Sequence, residues 1–156
     1  MFLDSLRYIF HRRVPVNIVL LRDDAVVPRY RSFGAAGFDF HAAIDETIVI
    51  EPDEWHEVPF GVAMEIPFGY ELRVRSRSGP AFKGHVIAYH GLIDCDYRGE
   101  LSVLLHNDGK VPYIIEPGDR VAQGVISRYD IAVFRVVDKL SDTARGSGGF
   151  GSTGRN

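Results

Sequence analysis

In the stretch GLIDCDYRGEL, Asp94 and Asp96 stand two residues apart, with Tyr97 beside them and Gly99 leading into the next run. Side chains at i and i+2 of an extended chain face the same side, so the two carboxylates are expected to converge. Such a pair holds a hydrated divalent cation or orients and deprotonates a water, and it equally serves to cap a hairpin turn. A second stretch, YELRVRSRSGPAFKG, alternates so that Arg73, Arg75 and Arg77 point one way and Leu72, Val74 and Ser76 the other. A solvated strand face carries the same alternation. Three like charges in a row also repel, and call for an anion or a partner subunit to neutralise them. The stripe ends in SGP, a tight turn whose backbone donors and Ser78 hydroxyl are suited to a phosphate oxygen.

Three further clusters stand out. Asp39 interrupts the small, apolar stretch FGAAGFDFHAA, where burying a carboxylate costs several kcal/mol unless a cation or donor meets it. In EPGDRVAQGVI a Pro-Gly turn precedes Asp119, Arg120 and Gln123, and a buried amide such as Gln123 can donate to an anion while accepting from backbone. The closing RGSGGFGSTG offers a cation in Arg145, an aromatic ring in Phe150, hydroxyls in Ser152 and Thr153, and a glycine backbone able to wrap closely round a ligand. A flexible linker and a glycine-arginine RNA-binding tail share part of that make-up.

Positioning these groups falls to a β-rich chain. Short runs rich in Val, Ile and aromatics (VNIVLL, TIVIE, HEVPFGVAMEI, YELRVRSR, GELSVLLHN, RVAQGVI and IAVFRVV) alternate with segments holding Gly, Pro, Asn or Asp. Helical spacing occurs only at the start, where Phe2, Leu3, Leu6, Ile9 and Phe10 recur as one short amphipathic segment that docks on the body or a partner subunit, a pattern that a frayed terminus shares. The expected fold is all-β, a jelly-roll sandwich or barrel, with residues 1–13 as an extension, 14–140 as the β domain and 141–156 as a mobile arm. The 156 residues suffice for one core. A formal net charge of −3 provides no field for a polyanion over the whole surface, so nucleic acid is not an expected partner. No apolar run nears the roughly 20 residues of a membrane span, and the single cysteine fits a reducing, intracellular setting such as the cytoplasm. The six histidines show no ligand spacing that points to zinc.

In this order, AGFDFHAA, RSG, GLIDCDYRGEL, PGDRVAQGVI and RGSGGFGSTG resemble the five motifs of the trimeric deoxyuridine triphosphatases (dUTPases), from about Val16 to Gly154. The resemblance implies a jelly-roll homotrimer with active sites at subunit interfaces, hydrolysing dUTP to dUMP and pyrophosphate with Mg²⁺ and so supplying dUMP for dTMP synthesis. Asp94 is then the general base at the α-phosphorus. Arg77, Ser78, Gly79 and Gln123 meet the phosphates, and Asp39 helps organise Mg²⁺, mainly through water. Tyr97 lies against the deoxyribose and excludes a 2′-hydroxyl. In the arm, Phe150 stacks on uracil, Arg145 reaches the γ-phosphate, and Ser152 and Thr153 with the amides of Gly148, Gly149 and Gly151 complete a lid.

Two departures from that pattern remain. Residues 85–90, HVIAYH, replace the family's base-reading hairpin, which leaves the roles of Ala88, Tyr89 and His90 unassigned and keeps a related pyrimidine deoxynucleotide triphosphatase as the alternative substrate class. Gly124 stands where the family has a large aliphatic residue, to be compensated by a neighbour or left as a looser strand. A regulatory protein that senses nucleotide through its tail is the alternative outside catalysis.

Overall fold

A computed structural model describes residues 13–89 and 91–149. Phe2 to Phe10, His90, Phe150, Gly151, Ser152 and Thr153 lie outside the described residues. The elements are β1 (Asn17–Leu20), β2 (Phe38–His41), β3 (Ile48–Ile50), β4 (Trp55–Pro59), β5 (Val62–Glu65), β6 (Tyr70–Arg75), α1 (Ser78–Lys83), β7 (Val86–Ala88), β8 (Leu92–Ile93), β9 (Ser102–Asn107), β10 (Tyr113–Ile115) and β11 (Arg120–Arg128). They pair antiparallel as β1-β5, β10-β3, β2-β11-β6-β8 and β4-β9-β7. The fold is an all-β jelly roll around one core.

Alternation builds that core. On β6, Leu72 and Val74 are buried while Arg73 and Arg75 are exposed, and on β9 Val103, Leu105 and Asn107 point inward. Phe40 from β2 stacks on Phe60 at 4.2 Å between ring centroids, and Phe38 meets Phe40 edge-on at 5.3 Å. Asn107, fully buried, is satisfied on every side: its amide donates to the carbonyls of Ile50 and Val111, both at 2.8 Å, and its Oδ1 accepts from Gly109 N at 2.9 Å.

Three sequence expectations are corrected. HEVPFGVAMEI is two strands, because Gly61 turns the chain at φ 65 and its missing β-carbon admits the methyls of Ala25 and Ala43. SGP opens the short helix α1 rather than a tight turn, with Gly84 N closing it on Pro80 O. IAVFRVV is no strand: Ile131, Val133, Phe134 and Val136 project from irregular backbone, Phe134 92% exposed, so that pattern without a pairing edge leaves strand-forming residues uncovered. Among the described residues no helix is long and apolar enough to cross a membrane.

Candidate active site

The β2-β11-β6-β8 sheet has an apolar face on the core and a polar face outside. Register places Asp39 opposite Gln123, and Gln123 opposite Arg75, in one rung of that outer face. A bulge between Arg120 and Ala122 inserts one extra residue into β11. Residues three apart on a regular strand face opposite ways. The bulge instead turns Arg120 to the same side as Gln123, against His41 and Asp39.

Asp39 is the hub of this cluster, only 3% exposed. Arg120 Nη1 donates to its Oδ2 at 3.0 Å, Arg31 Nε to the same oxygen at 3.3 Å, and Gln123 Nε2 to Oδ1 at 3.4 Å. Arg77 Nε lies 3.3 Å from Oδ1 as an ion pair, and Arg77 Nη1 donates to the Arg120 carbonyl at 2.7 Å. That buried Nε has no hydrogen-bond acceptor among the described residues. Burial works against the Asp39 carboxylate, yet the Arg120 hydrogen bond, the Arg77 charge and the Gln123 amide outweigh it and hold its pKa below the ordinary carboxylate value. Beside it, burial and then the Arg31 charge push the His41 imidazole down, and Arg31 Nη2 stands 3.2 Å from His41 Nε2.

The arginine stripe is therefore divided. Arg73 Nε donates to buried Glu71 at 2.6 Å and Arg77 turns to Asp39, while Arg75 has no ion pair among the described residues. Asp39 does not fit as a direct metal ligand, because both its oxygens are taken and guanidiniums surround it; contact with a cation is left to intervening water. No group of three or more His, Cys, Asp or Glu suited to hold a metal occurs among the described residues.

A second cluster sits at the other edge of the sheet. Leu92, Ile93, Asp94, Tyr97, Glu100, Leu101 and Ser102 line an open cleft of about 230 Å³. Asp96 is not part of it: after β8 the chain turns, Tyr97 N donating to Asp94 O at 3.2 Å, so the extended geometry that would have converged the two aspartates is absent. Arg98 braces the turn, with Nη1 donating to the carbonyls of Cys95 at 2.7 Å and Tyr97 at 2.8 Å and Nη2 to Glu65 at 3.4 Å. Glu100 Oε1 accepts from Gly61 N at 3.1 Å and fixes the far wall.

One chain does not bring the two clusters together. Ile93 pairs with Leu72, which sets Asp94 level with Glu71, four residues along β6 from the Asp39-Gln123-Arg75 rung and three strands across from β2. At about 4.8 Å per strand and about 3.3 Å per residue, that separates Asp39 from Asp94 by roughly 20 Å. Ser78 and Gly79 open α1 next to Arg77, where the first N–H groups of a helix lack partners within it, and open space surrounds Gly79 Cα. Arg145 donates from Nε to Gly148 O at 2.8 Å, and Gly146 N donates to Thr143, so the described part of the tail, with Gly148 and Gly149, bonds to itself.

Both departures have a structural content. Ser76 Oγ accepts from Ala88 N at 2.9 Å, and Tyr89 N donates to Leu104 O at 2.8 Å, so the backbone donors of Ala88 and Tyr89 are engaged within the fold. Tyr89 itself packs edge-on to Trp55. At Gly124, a β-carbon would lie 2.6 Å from Phe38 Cζ and 2.7 Å from Phe40 Cε2: two phenyl rings fill the space, and the strand is not loose. Sequence reasoning passed over Arg120, Arg31 and His41 as partners of Asp39. The Arg120 signal was hidden by the bulge, and Arg31 lies in irregular chain.

Comparison with known proteins agrees with this arrangement. The dUTPase family model matches residues 23–154. The deoxyuridine 5′-triphosphate nucleotidohydrolase of Wolinella succinogenes is 44% identical over 147 residues, covering 93% of this chain and 97% of its own. That of Treponema denticola is 46% identical over 136 residues, covering 86% and 94%. Among solved structures, the Staphylococcus bacteriophage 80alpha dUTPase with dUPNHPP superposes with a TM-score of 0.84 at 31% identity over 90% of this chain and 98% of that one. A variant dUTPase from phage phi11 of S. aureus, described with a coordinated structural Mg(II) ion, gives a TM-score of 0.75 at 28% identity over 81% and 98%. With two polar clusters on a jelly roll, the five motifs in order and this likeness over most of its length, the chain belongs to the dUTPase family.

Proposed function

We propose that the protein is a dUTP diphosphatase in which the Asp94 carboxylate orients a water and takes its proton. The water oxygen bonds to the α-phosphorus, the bond from that phosphorus to the α,β-bridging oxygen breaks, and dUMP and pyrophosphate leave. The observation that carries this reading is that Asp94 and Tyr97 line one cleft; on this reading the carboxylate stands at the reacting end and the ring against the deoxyribose.

The phosphates belong to the Asp39 cluster. Arg77 Nε, ion-paired with Asp39, is buried without a hydrogen-bond acceptor among the described residues, and Gln123, Ser78 and Gly79 add donors around it. Donors held in place before charge develops stabilise it without reorganisation. Asp39 would hold Mg²⁺ through intervening water, and the ion would supply neutralisation of charge on the triphosphate. Since a triphosphate does not bridge roughly 20 Å, the two clusters of one active site come from different subunits of a homotrimer. The uncovered apolar side chains of Ile131, Val133, Phe134 and Val136 support an assembly that buries them. Arg145, Gly148, Gly149, Phe150, Gly151, Ser152 and Thr153, within the arm of residues 141–156, close over the bound nucleotide, and water is excluded as they do.

Pyrophosphate release from dUTP, dCTP, dTTP and UTP, with Mg²⁺ and with EDTA, tests the reading on the full chain, on the Asp94→Asn variant and on a chain cut before Arg145. Expected are metal-dependent turnover of dUTP, its loss by a factor of about 10² to 10⁴ in Asp94→Asn, and weakened turnover without the tail. Turnover that survives in Asp94→Asn overturns the base assignment. Faster turnover of dCTP or dTTP moves base choice to residues 85–90.

A further inference from the structure

Gly99 sits between Arg98, which braces the cleft loop, and Glu100, which lines the cleft. Two reasons commonly keep a glycine in such a loop, a backbone that no other residue adopts or a lack of room for a side chain. Among the described glycines the left-handed φ angles belong to Gly61, Gly69, Gly118 and Gly146, so backbone conformation does not require glycine at position 99. Room does. A β-carbon on Gly99 would lie 2.5 Å from Tyr97 Cζ, 3.1 Å from Tyr97 Cε2 and closer still to the phenol oxygen. Apart from the adjoining Arg98 and Glu100, no other side chain and no backbone atom is among its three nearest neighbours. The Tyr97 ring lies folded over the bare Cα of Gly99, and from that seat its hydroxyl donates to Glu100 O at 3.1 Å.

We propose that Gly99 is a positioning residue for sugar discrimination: its missing side chain is the seat that holds the Tyr97 ring as a wall of the cleft. The inference rests on the reading of Tyr97 as the deoxyribose contact. A 2′-hydroxyl is excluded only if the ring that would collide with it cannot retreat, and an unseated ring is free to retreat. An alanine at 99 meets the far end of a side chain with two rotatable bonds rather than packed backbone, so the ring swings away and the β-strands stay as they are. Glu100 O loses its donor in the same movement. The consequence falls on the choice between dUTP and UTP more than on the rate with dUTP, because Asp94 and the phosphate cluster are untouched.

The test is the ratio of kcat/KM for dUTP to that for UTP in the full chain, Tyr97→Ala, Gly99→Ala and the double variant, with thermal melting of all four. Gly99→Ala is expected to lower the ratio by about tenfold or more, toward the Tyr97→Ala value. In the Tyr97→Ala background, adding Gly99→Ala changes the ratio by less than about twofold, since the ring atoms nearest the new methyl are gone, and the melting temperature lost in Gly99→Ala is regained. A ratio unchanged in Gly99→Ala while Tyr97→Ala lowers it overturns the inference and leaves the Tyr97 reading standing. Multiplying effects in the double variant overturn it as well, showing that Gly99 acts by another route. A ratio unchanged in Tyr97→Ala itself overturns the sugar-contact reading and the inference with it.

Discussion

Asp39 on β2 and Gln123 on β11 face each other across the ladder, and the Gln123 amide donates to Asp39 Oδ1 at 3.4 Å. The same carboxylate meets Arg31, Arg77 and Arg120, so three positive charges stand against one negative and the cluster keeps a surplus of two. Asp39 is therefore both the anchor that orders the guanidiniums and a charge too small to satisfy them, which suits a polyanion that arrives later.

Removing the anchor should cost stability and substrate affinity together. Asp39→Ala leaves three guanidiniums without their counter-charge, and since Arg31 and Arg120 are about half exposed and rehydrate, the loss is that of hydrogen bonds to a charged group, about 1.5–3 kcal/mol. Asp39→Asn keeps the shape and part of the hydrogen bonding and should lose less. Urea midpoints rank the two variants, and KM for dUTP should rise in both. An unchanged midpoint in Asp39→Ala would mean that the arginines find other acceptors.

The same cluster makes stability fall in two steps as pH is lowered. His41 has a folded pKa below its ordinary value of about 6.5, so the unfolded chain takes up that proton first and stability declines from near pH 6.5 downward. The groups that set this are burial, then Arg31, with Arg120 and Arg77 acting in the same sense and Asp39 against them. Asp39 also has a lowered folded pKa, so its contribution is intact above about pH 3.9 and is lost as pH falls through the folded value. Urea midpoints from pH 7.5 to 3 trace both steps, and His41→Gln should flatten the upper one while leaving the lower.

Much of this was legible in the sequence, and the parts that were not have physical reasons. Alternation on β6 placed Leu72 and Val74 opposite Arg73 and Arg75 correctly, because one face of that strand end is buried. Alternation failed where the backbone left the regular strand: at the β11 bulge, which turns Arg120 beside Gln123, and at the turn after Ile93, which removes Asp96 from the cleft. IAVFRVV carried strand-forming residues that pair with no edge among the described residues, a condition that local pattern does not encode. The compensation for Gly124 was likewise invisible, since Phe38 and Phe40 are distant in sequence and meet it only through register.

That compensation is directly testable. Gly124→Leu drives a side chain into two buried rings, and overpacking of a full core costs about 1–3 kcal/mol. Replacing Phe38 and Phe40 by leucine in the same chain returns the space. The triple variant should regain most of the lost melting temperature, whereas Phe38→Leu with Phe40→Leu alone opens a cavity and destabilises. If the triple variant is no more stable than Gly124→Leu, the rings are not what fills the site.

The separation of Asp94 from the Arg77 cluster leads to a complementation experiment. An Asp94→Asn chain lacks the base, and an Arg77→Ala chain lacks a phosphate ligand, so each alone should turn over little dUTP. Unfolded together and refolded, they should assemble, on the proposed homotrimer, into particles in which a site draws Asp94 from one subunit and Arg77 from another. Random mixing makes both residues native in about a quarter of sites, one half times one half, and roughly that fraction of full turnover should return. Were the site built within one chain, no mixture could restore it, because every chain in the mixture lacks one of the two. Recovered activity therefore reports the sharing itself, and its absence in a properly refolded mixture would require the roughly 20 Å between the clusters to be closed inside a single subunit.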